Sequence, residues 1–176
     1  MAQVLFIKVS TLKKHTILDG NVDVDKLLPY IKIAQEIHIQ NFLGTKLYDK
    51  IITLINAGTL TALANPNYLN LVNNYIQPAL IHFAMMDYLP FAAYQVKNAG
   101  VFKHISENAE SVTKNEVDYL VNKEREFAEY YIRRMIDHLN FNSTNFPEYN
   151  QNVNDDVYPD KDSLFNGWVL WEKDIK

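Results

Sequence analysis

The stretch from Thr113 to about Asn140 carries the clearest helical pattern in the chain, and this pattern most limits the possible fold. Thr113 and Glu116 form the capping box that opens many helices. Apolar residues then recur every three or four positions, with charged residues between them. A long amphipathic helix buries its apolar side against other elements, and other helices are the simplest partners. The pattern predicts an all-α protein.

Two further helices are predicted before residue 60. The first begins at Asp23 or Asp25, both of which suit an N-cap, and ends at Gly44, because glycine favours helix C-termini. Pro29 lies close enough to its start to be tolerated in the first turn. The second runs from residue 45 to Gly58. Their apolar residues follow helical spacing, which indicates amphipathic helices packed on a common core.

A third predicted helix begins at Asn65 and Pro66 and contains two interior prolines, Pro78 and Pro90. Each proline removes a backbone donor and is expected to kink or split the helix. The residues near Pro78 are apolar on nearly all sides, which is typical of a central buried helix. We expect the core to contain Ala79, Leu80, Phe83, Ala84 and Leu89 together with Leu120, Ala128, Tyr131 and Met135.

The two ends of the chain differ from the helical middle. Residues Val4 to Val9 are β-branched and aromatic and predict a short strand. Residues 101–111 are polar and predict a loop. From residue 141 onward the chain is rich in Asn, Asp and Pro and shows no period. We therefore expect a bundle of four to five helices over residues 1–140, with a short N-terminal strand, and an extended acidic arm over residues 141–176.

Composition excludes several classes of function. The 176 residues include no cysteine, so disulfides and thiolate metal sites are impossible. The arm carries seven acidic residues against three lysines, whereas residues 1–140 balance fourteen against fourteen. No basic patch indicates a nucleic-acid binder. The apolar stretches are too short for a secretion signal or a membrane span, so neither secretion nor a membrane location is expected.

No pattern indicates a cofactor, metal or catalytic site. No two histidines share the spacing of a two-ligand helical clamp, although His104 and Glu107 lie one turn apart. The cluster from Asp155 to Asp162 lacks the glycine and bidentate glutamate of a calcium loop. Nucleophile motifs and glycine-rich phosphate loops are missing. The five histidines considered as metal ligands are His15, His38, His82, His104 and His138. We therefore predict that the protein is not an enzyme.

Three segments resemble one protein family in sequence and order. They are LLPYIKIAQEIHIQNFLGTKLYDKI (27–51), IQPALIHFAMMDYLPF (76–91) and NAGVFKHISENAESVTKNEVDYL (98–120). Together they resemble the small helical head-to-tail connector proteins of crAss-like phages and other tailed phages of Bacteroidetes. The similarity covers about residues 5–150. Its most specific parts are A-Q-E…LG-x-x-LY-D and I-x-P-A-L…LP, and neither is a catalytic motif.

The resemblance implies a structural virion protein, assembled in the host cytoplasm. Its subunits would form a ring, often twelvefold, that joins the portal of the DNA-filled head to the tail. The partners would be further copies, the portal and other tail or connector proteins, while DNA passes through the lumen without specific binding. The family has no catalytic or cofactor-binding residues to carry over. A helical regulator that binds one partner protein is the alternative, and a metal-dependent enzyme ranks third.

The arm ends in FNGWVLWEKDIK, which contains both tryptophans of the chain. Aromatic side chains of this size need a docking surface. The arm could return to its own body and pair with the N-terminal strand, or cross to a neighbour. The long polar spacer favours crossing, because a short return would not need it. The predicted interface residues are Leu5, Phe6, Ile7, Phe165, Trp168, Leu170 and Trp171.

Overall fold

The computed structural model describes residues 4–18, 21–92, 94–97, 100–103, 113–151 and 156–161. Over these residues the chain is an all-α bundle, as the sequence predicts. In chain order the helices are α1 (Val9–Lys14), α2 (Val24–Ala34), α3 (Gln40–Asn56), α4 (Pro66–Leu71), α5 (Gln77–Tyr88), α6 (Lys114–Phe141) and α7 (Pro147–Asn150). A hairpin of β1 (Tyr94–Lys97) and β2 (Gly100–Lys103) separates α5 from α6.

The central helix is α5, which packs against both α6 and α2. Its buried residues lie on all sides, as expected for the stretch near Pro78. Most of the predicted core is confirmed, since six of its members are buried, whereas Leu89, Leu120 and Tyr131 are only partly buried. The buried six are Ala79, Leu80, Phe83, Ala84, Ala128 and Met135.

Two π-helical segments interrupt the bundle, and the sequence pattern did not predict them. Gln35–Ile39 joins α2 to α3, and Val72–Ile76 joins α4 to α5. The second lies directly before Pro78, which has no N–H and whose ring would clash with the carbonyl of Asn74 in a regular helix. The wider π turn accommodates the proline, so the helix continues through Pro78. Pro90 instead lies in a 3-10 turn, Leu89–Phe91, that follows the end of α5.

Most of the predicted helix ends are confirmed. Asp23 caps α2 by accepting a hydrogen bond from the N–H of Asp25 at 3.1 Å. The capping box of Thr113 and Glu116 opens α6, which runs to Phe141. Pro29 is an exception, because it lies inside α2 rather than in its first turn. The predicted loop over residues 101–111 is also wrong in part, since β2 pairs antiparallel with β1.

The predicted N-terminal strand is wrong. Residues 4–8 are irregular and α1 begins at Val9, while Phe6 and Ile7 are 4% and 3% exposed in the core. Strand pairing is unnecessary because glutamine side chains bind the backbone of this segment. The N–H of Phe6 donates to Gln35 Oε1 at 2.7 Å, and Gln77 Nε2 donates to the Phe6 carbonyl at 3.0 Å.

Gln35 is the one fully buried polar residue among those described, with 1% of its surface exposed. Besides accepting from Phe6, its Nε2 donates to the Val4 carbonyl at 3.0 Å and to the Tyr48 hydroxyl at 2.9 Å. The amide thus uses its oxygen and both hydrogens. Burial of the Tyr48 ring raises the pKa of its hydroxyl, so Tyr48 stays neutral at physiological pH. This cluster attaches the N-terminal segment to the bundle.

We expect Gln35→Leu to lower the free energy of unfolding by about 3 kcal/mol. The leucine fills the space but leaves the Phe6 N–H, the Val4 carbonyl and the Tyr48 hydroxyl without partners, and each buried unsatisfied group costs about 1–3 kcal/mol before relaxation. Urea unfolding followed by circular dichroism measures the loss. Gln40→Leu is the matched control, because Gln40 is half-buried and makes one long hydrogen bond, to Thr45 at 3.3 Å. Equal losses in the two variants would contradict the assigned role.

Candidate interaction surface

The chain bends at Gly44, inside α3, and we call this bend the elbow. Its backbone angles, φ 72° and ψ 158°, belong to a region that only glycine adopts readily, and they bend the chain within α3. Pro159 lies directly on this glycine. A Cβ atom at position 44 would come within 2.6 Å of Pro159 Cδ. Glycine is therefore required here both for the bend and for the close approach of the proline.

Residues 156–161 are held at the elbow by backbone hydrogen bonds. The N–H of Thr45 donates to the Val157 carbonyl at 3.0 Å, and the N–H of Asp160 donates to the Asn41 carbonyl at 2.9 Å. Val157 in turn donates to Thr45 Oγ1 at 2.9 Å. These bonds use polar groups that the bend at Gly44 leaves unpaired within the helix.

Residues 142–151, which come before this segment in the chain, also belong to the bundle. Phe146 and Tyr149 are buried in the core, and α7 packs against α3. The Tyr68 hydroxyl donates to Glu148 Oε2 at 2.7 Å. The prediction of an extended arm is therefore wrong for residues 142–151 and 156–161. The prediction relied on the lack of a helical period in this part of the sequence. It did not take into account that single large aromatic residues can fill the core without any period.

Lys161, the last described residue, is anchored too. Its Nζ donates to Asn150 Oδ1 at 2.9 Å and lies 4.7 Å from the centroid of the Tyr149 ring. Burial, with smaller contributions from Asp160 and Tyr158, raises the pKa of the Tyr149 hydroxyl, which stays neutral. The chain therefore continues from a fixed point on the surface of the bundle, beside α7.

The sequence-predicted interface residues fall into three groups. Phe6 and Ile7 are buried in the subunit's own core, so as interface residues they were predicted wrongly. Leu5 is half-buried and lines a shallow apolar depression with Leu28, Pro29 and Lys32. The remaining four lie outside the described residues: Phe165, Trp168, Leu170 and Trp171.

Sequence reasoning missed an exposed row of side chains on α6, which we call the α6 row. Its members are spaced by three, four or seven residues, so they fall within about a quarter of the helix circumference, away from the core. Its aromatic members are 49% to 88% exposed, and two cations lie between them. In the sequence the row could have been recognised as a second set of helically spaced residues on α6, mostly aromatic, beside the apolar set that faces the core. It consists of Tyr119, Lys123, Phe127, Tyr130, Arg134 and Phe141.

Cation–π contacts order the middle of the α6 row. The Arg134 guanidinium lies 5.8 Å from the Tyr130 ring and 5.5 Å from the ring of Tyr75. Lys123 lies 5.9 Å from the Tyr119 ring and pairs with Glu126 at 2.7 Å. The row is thus a partly preorganised surface of aromatic rings around an arginine, and protein interfaces are enriched in both kinds of residue.

Two of the four histidines that the structure describes pair with carboxylates of the bundle. His82 Nδ1 lies 2.7 Å from Glu124 Oε2 and joins α5 to α6, and His38 Nε2 lies 3.3 Å from Asp87 Oδ2. His138 stacks on Tyr75, and its burial lowers its pKa. His15 and His82 contribute to a cleft of about 240 Å³ at the surface. His104 lies outside the described residues, among which no group of three potential metal ligands occurs.

Comparison with known proteins identifies a family. Residues 39–158 match a family of unknown function, DUF6712. The chain belongs to this family. The DUF6712 match begins within the first π-helical segment and ends at Tyr158, so it includes the elbow and part of the segment that docks on it. No curated protein and no solved structure matches the chain. None of the described helices is both long and apolar enough to cross a membrane.

We expect Gly44→Ala to destabilise the protein by about 3 kcal/mol or more, since backbone strain of about 1–3 kcal/mol adds to the collision with Pro159. In a Pro159→Ala background the loss should shrink by about 1 kcal/mol, which is the coupling expected for residues in contact. Thermal unfolding of the four proteins in this cycle measures the coupling.

Gly58→Ala is the matched control for this cycle. Gly58 also has a positive φ, 65°, but among the described residues no non-neighbouring atom lies within 4 Å of a Cβ placed there. Its loss should be the same with and without Pro159→Ala. A Gly44→Ala loss that is equally independent of Pro159 would contradict the docking of residues 156–161 at the elbow.

Proposed function

We propose that this protein is a structural virion protein, a subunit of an oligomeric ring that connects the portal of a phage head to the tail. The proposal rests on one observation: residues of the connector-like motif A-Q-E…LG-x-x-LY-D make the contacts that hold two distant segments of the chain on the body. Gln35 and Tyr48 hold the N-terminal segment, and Gly44 receives Pro159. The residues of the resemblance thus anchor two segments distant in sequence, residues 4–6 and 156–161, to the body.

Such anchoring suits a ring subunit. A ring under load needs a rigid body and attachment segments that start from fixed points. The C-terminal residues 162–176 follow directly after Lys161, which is held beside α7. Fifteen residues span at most about 50 Å, which is enough to contact an adjacent subunit or the next virion protein. Phe165, Trp168, Leu170 and Trp171 would supply the apolar contacts of this arm.

The proposal includes no catalysis. His38 and His82 pair with carboxylates of neighbouring helices, while His138 stacks on the ring of Tyr75 and meets Phe146 edge-on. These contacts give the three side chains a part in packing. Glu148 of the C-terminal segment has a similar use, since it accepts a hydrogen bond from the Tyr68 hydroxyl.

A helical module that binds another protein, without any ring, is the second candidate. The α6 row favours it, because an exposed stripe of aromatic side chains on one long helix is a common docking surface for a partner helix. In this reading the protein acts as a regulator or adaptor.

Electron microscopy of the purified chain, alone and mixed with the portal and tail proteins of the same phage, tests the ring. We expect rings on the portal with the natural sequence and loss of ring attachment when Trp168→Ala and Trp171→Ala are combined, since each tryptophan would remove about 150–250 Å² of contact. Phe91→Ala with Tyr94→Ala is the control, because both aromatic residues are exposed and lie outside the C-terminal segment, Phe91 shortly before the hairpin and Tyr94 at the start of β1. A one-to-one complex with a single partner and no ring would favour the second candidate.

We expect no binding of duplex DNA at physiological salt. Strong non-specific binding requires many phosphate contacts from Lys and Arg, and the chain has net charge −4. The lumen of a ring through which the genome slides should not bind the DNA. An electrophoretic mobility assay over a salt series measures this. A shift at micromolar protein that weakens with added salt would contradict the proposed lumen.

A further inference from the structure

We propose that a second copy of this chain packs on the α6 row in antiparallel orientation, around a twofold axis at Tyr130. Within the described part of the subunit the row is only partly covered, by contacts such as those of Phe127 with His82 and of Arg134 with Tyr75. Tyr119, Phe127, Tyr130 and Phe141 keep 62%, 49%, 56% and 88% of their surface exposed. Large aromatic side chains arranged in one stripe indicate a protein contact rather than a solvated face.

The area of the α6 row suffices for a dimer. Its four aromatic side chains expose together about 500 Å² per copy, taking about 200 Å² for each ring. Two copies would bury about 1,000 Å², which reaches the lower limit for a specific interface before any charged side chain is counted. The row extends about 33 Å along α6, from Tyr119 to Phe141, at 1.5 Å per residue. A second helix of the same length covers it completely.

Charge complementarity selects both the partner and its direction. In an antiparallel pair centred on Tyr130, residues equally distant from Tyr130 face each other. Lys123 then faces Asp137 of the second copy, and Arg134 faces Glu126. Because the axis is twofold, each pair occurs twice. In a parallel pair each of these residues would face its own copy, so that four like-charge contacts would replace four attractive ones.

The aromatic residues fit the same register. Tyr119 faces Phe141 of the second copy at each end of the contact, and Tyr130 faces itself at the centre. Phe127 faces Arg133, which is exposed on α6, so a cation–π contact flanks the centre. Every member of the row thus meets an aromatic ring, an opposite charge or, for Phe127, a cation that can pack on its ring. No comparable match exists with residues 162–176, whose three acidic residues and two lysines nearly cancel.

This contact goes beyond the proposed ring function. A twofold contact uses the same surface on both subunits and closes on itself, whereas a ring needs two different surfaces that repeat around the axis. The α6 pair therefore describes the free subunit in solution. Entry into a ring would leave the pair intact only if both copies take part in the assembly.

Charge reversal tests the contact in the full-length chain. By light scattering after size exclusion, the natural protein should have twice the 20.5 kDa mass of one chain. Lys123→Glu should raise the dimer Kd about tenfold or more, because it places two acidic pairs across the axis, and Asp137→Lys should do the same with two basic pairs. The double variant exchanges the charges, restores attraction, and should return the Kd to near the natural value.

Arg125→Glu is the matched control. It makes the same change of charge at an exposed position of α6 outside the row, where Arg125 donates a long hydrogen bond to Asn122 Oδ1 at 3.5 Å. Its Kd should equal that of the natural protein. Circular dichroism checks that each variant is folded, since Lys123→Glu also removes the exposed pair with Glu126.

Three outcomes would overturn the proposal: a natural protein that stays monomeric, a double variant that does not recover, or an equal effect of Arg125→Glu. The dimer could also dissociate when Trp168→Ala and Trp171→Ala are combined, while the charge exchange between Lys123 and Asp137 fails to restore it. That result would show that the α6 row binds the C-terminal segment instead of a second α6. Ring formation is scored separately on the portal by electron microscopy. Failure of one proposal is therefore distinguishable from failure of the other.

Discussion

The amide of Gln35 is the interaction on which the arrangement of the bundle depends. A buried amide is costly unless its oxygen and both hydrogens find partners, and here they bind Phe6, Val4 and Tyr48. Because these partners come from an irregular segment and from α3, one side chain joins α2, the N-terminal residues and α3. The Phe6 ring then packs on Tyr48 with 5.2 Å between centroids, so the polar cluster also fixes the adjoining core.

Both π-helical segments border the glutamines that bind Phe6. Gln35 begins the first segment and Gln77 follows the second. A π turn inserts one extra residue, which rotates the following side chains by about 100° relative to a regular helix. We infer that these turns let one helix present an amide to the N-terminal segment while its apolar residues still face the core. Pro78 adds a second reason for the turn at Val72–Ile76, because it has no N–H to donate.

The sequence allowed prediction of what depends on local chemistry. The caps at Asp23 and Thr113, the stops at Gly44 and Gly58, and the central burial of α5 all follow from residues close in sequence. The contacts of Gln35 with Phe6 and of Gly44 with Pro159 join residues 29 and 115 positions apart, and no period reveals them. The sequence contains one indication of the role of Gln35, because this polar residue lies beside the apolar face of a predicted helix. The strand prediction failed because it assumed that only another strand could bind the backbone of residues 4–8.

The anchoring of residues 142–151 and 156–161 changes the physics of the proposed arm. An arm that began at residue 141 would have 36 residues and reach about 120 Å, whereas one that begins after Lys161 has 15 and reaches at most about 50 Å. A shorter tether holds its aromatic end in a smaller volume, so the effective concentration at an adjacent site is higher. It also excludes distant sites. On this argument the partner of Trp168 and Trp171 lies within about 50 Å of Lys161, whether it belongs to the same subunit or to an adjacent one.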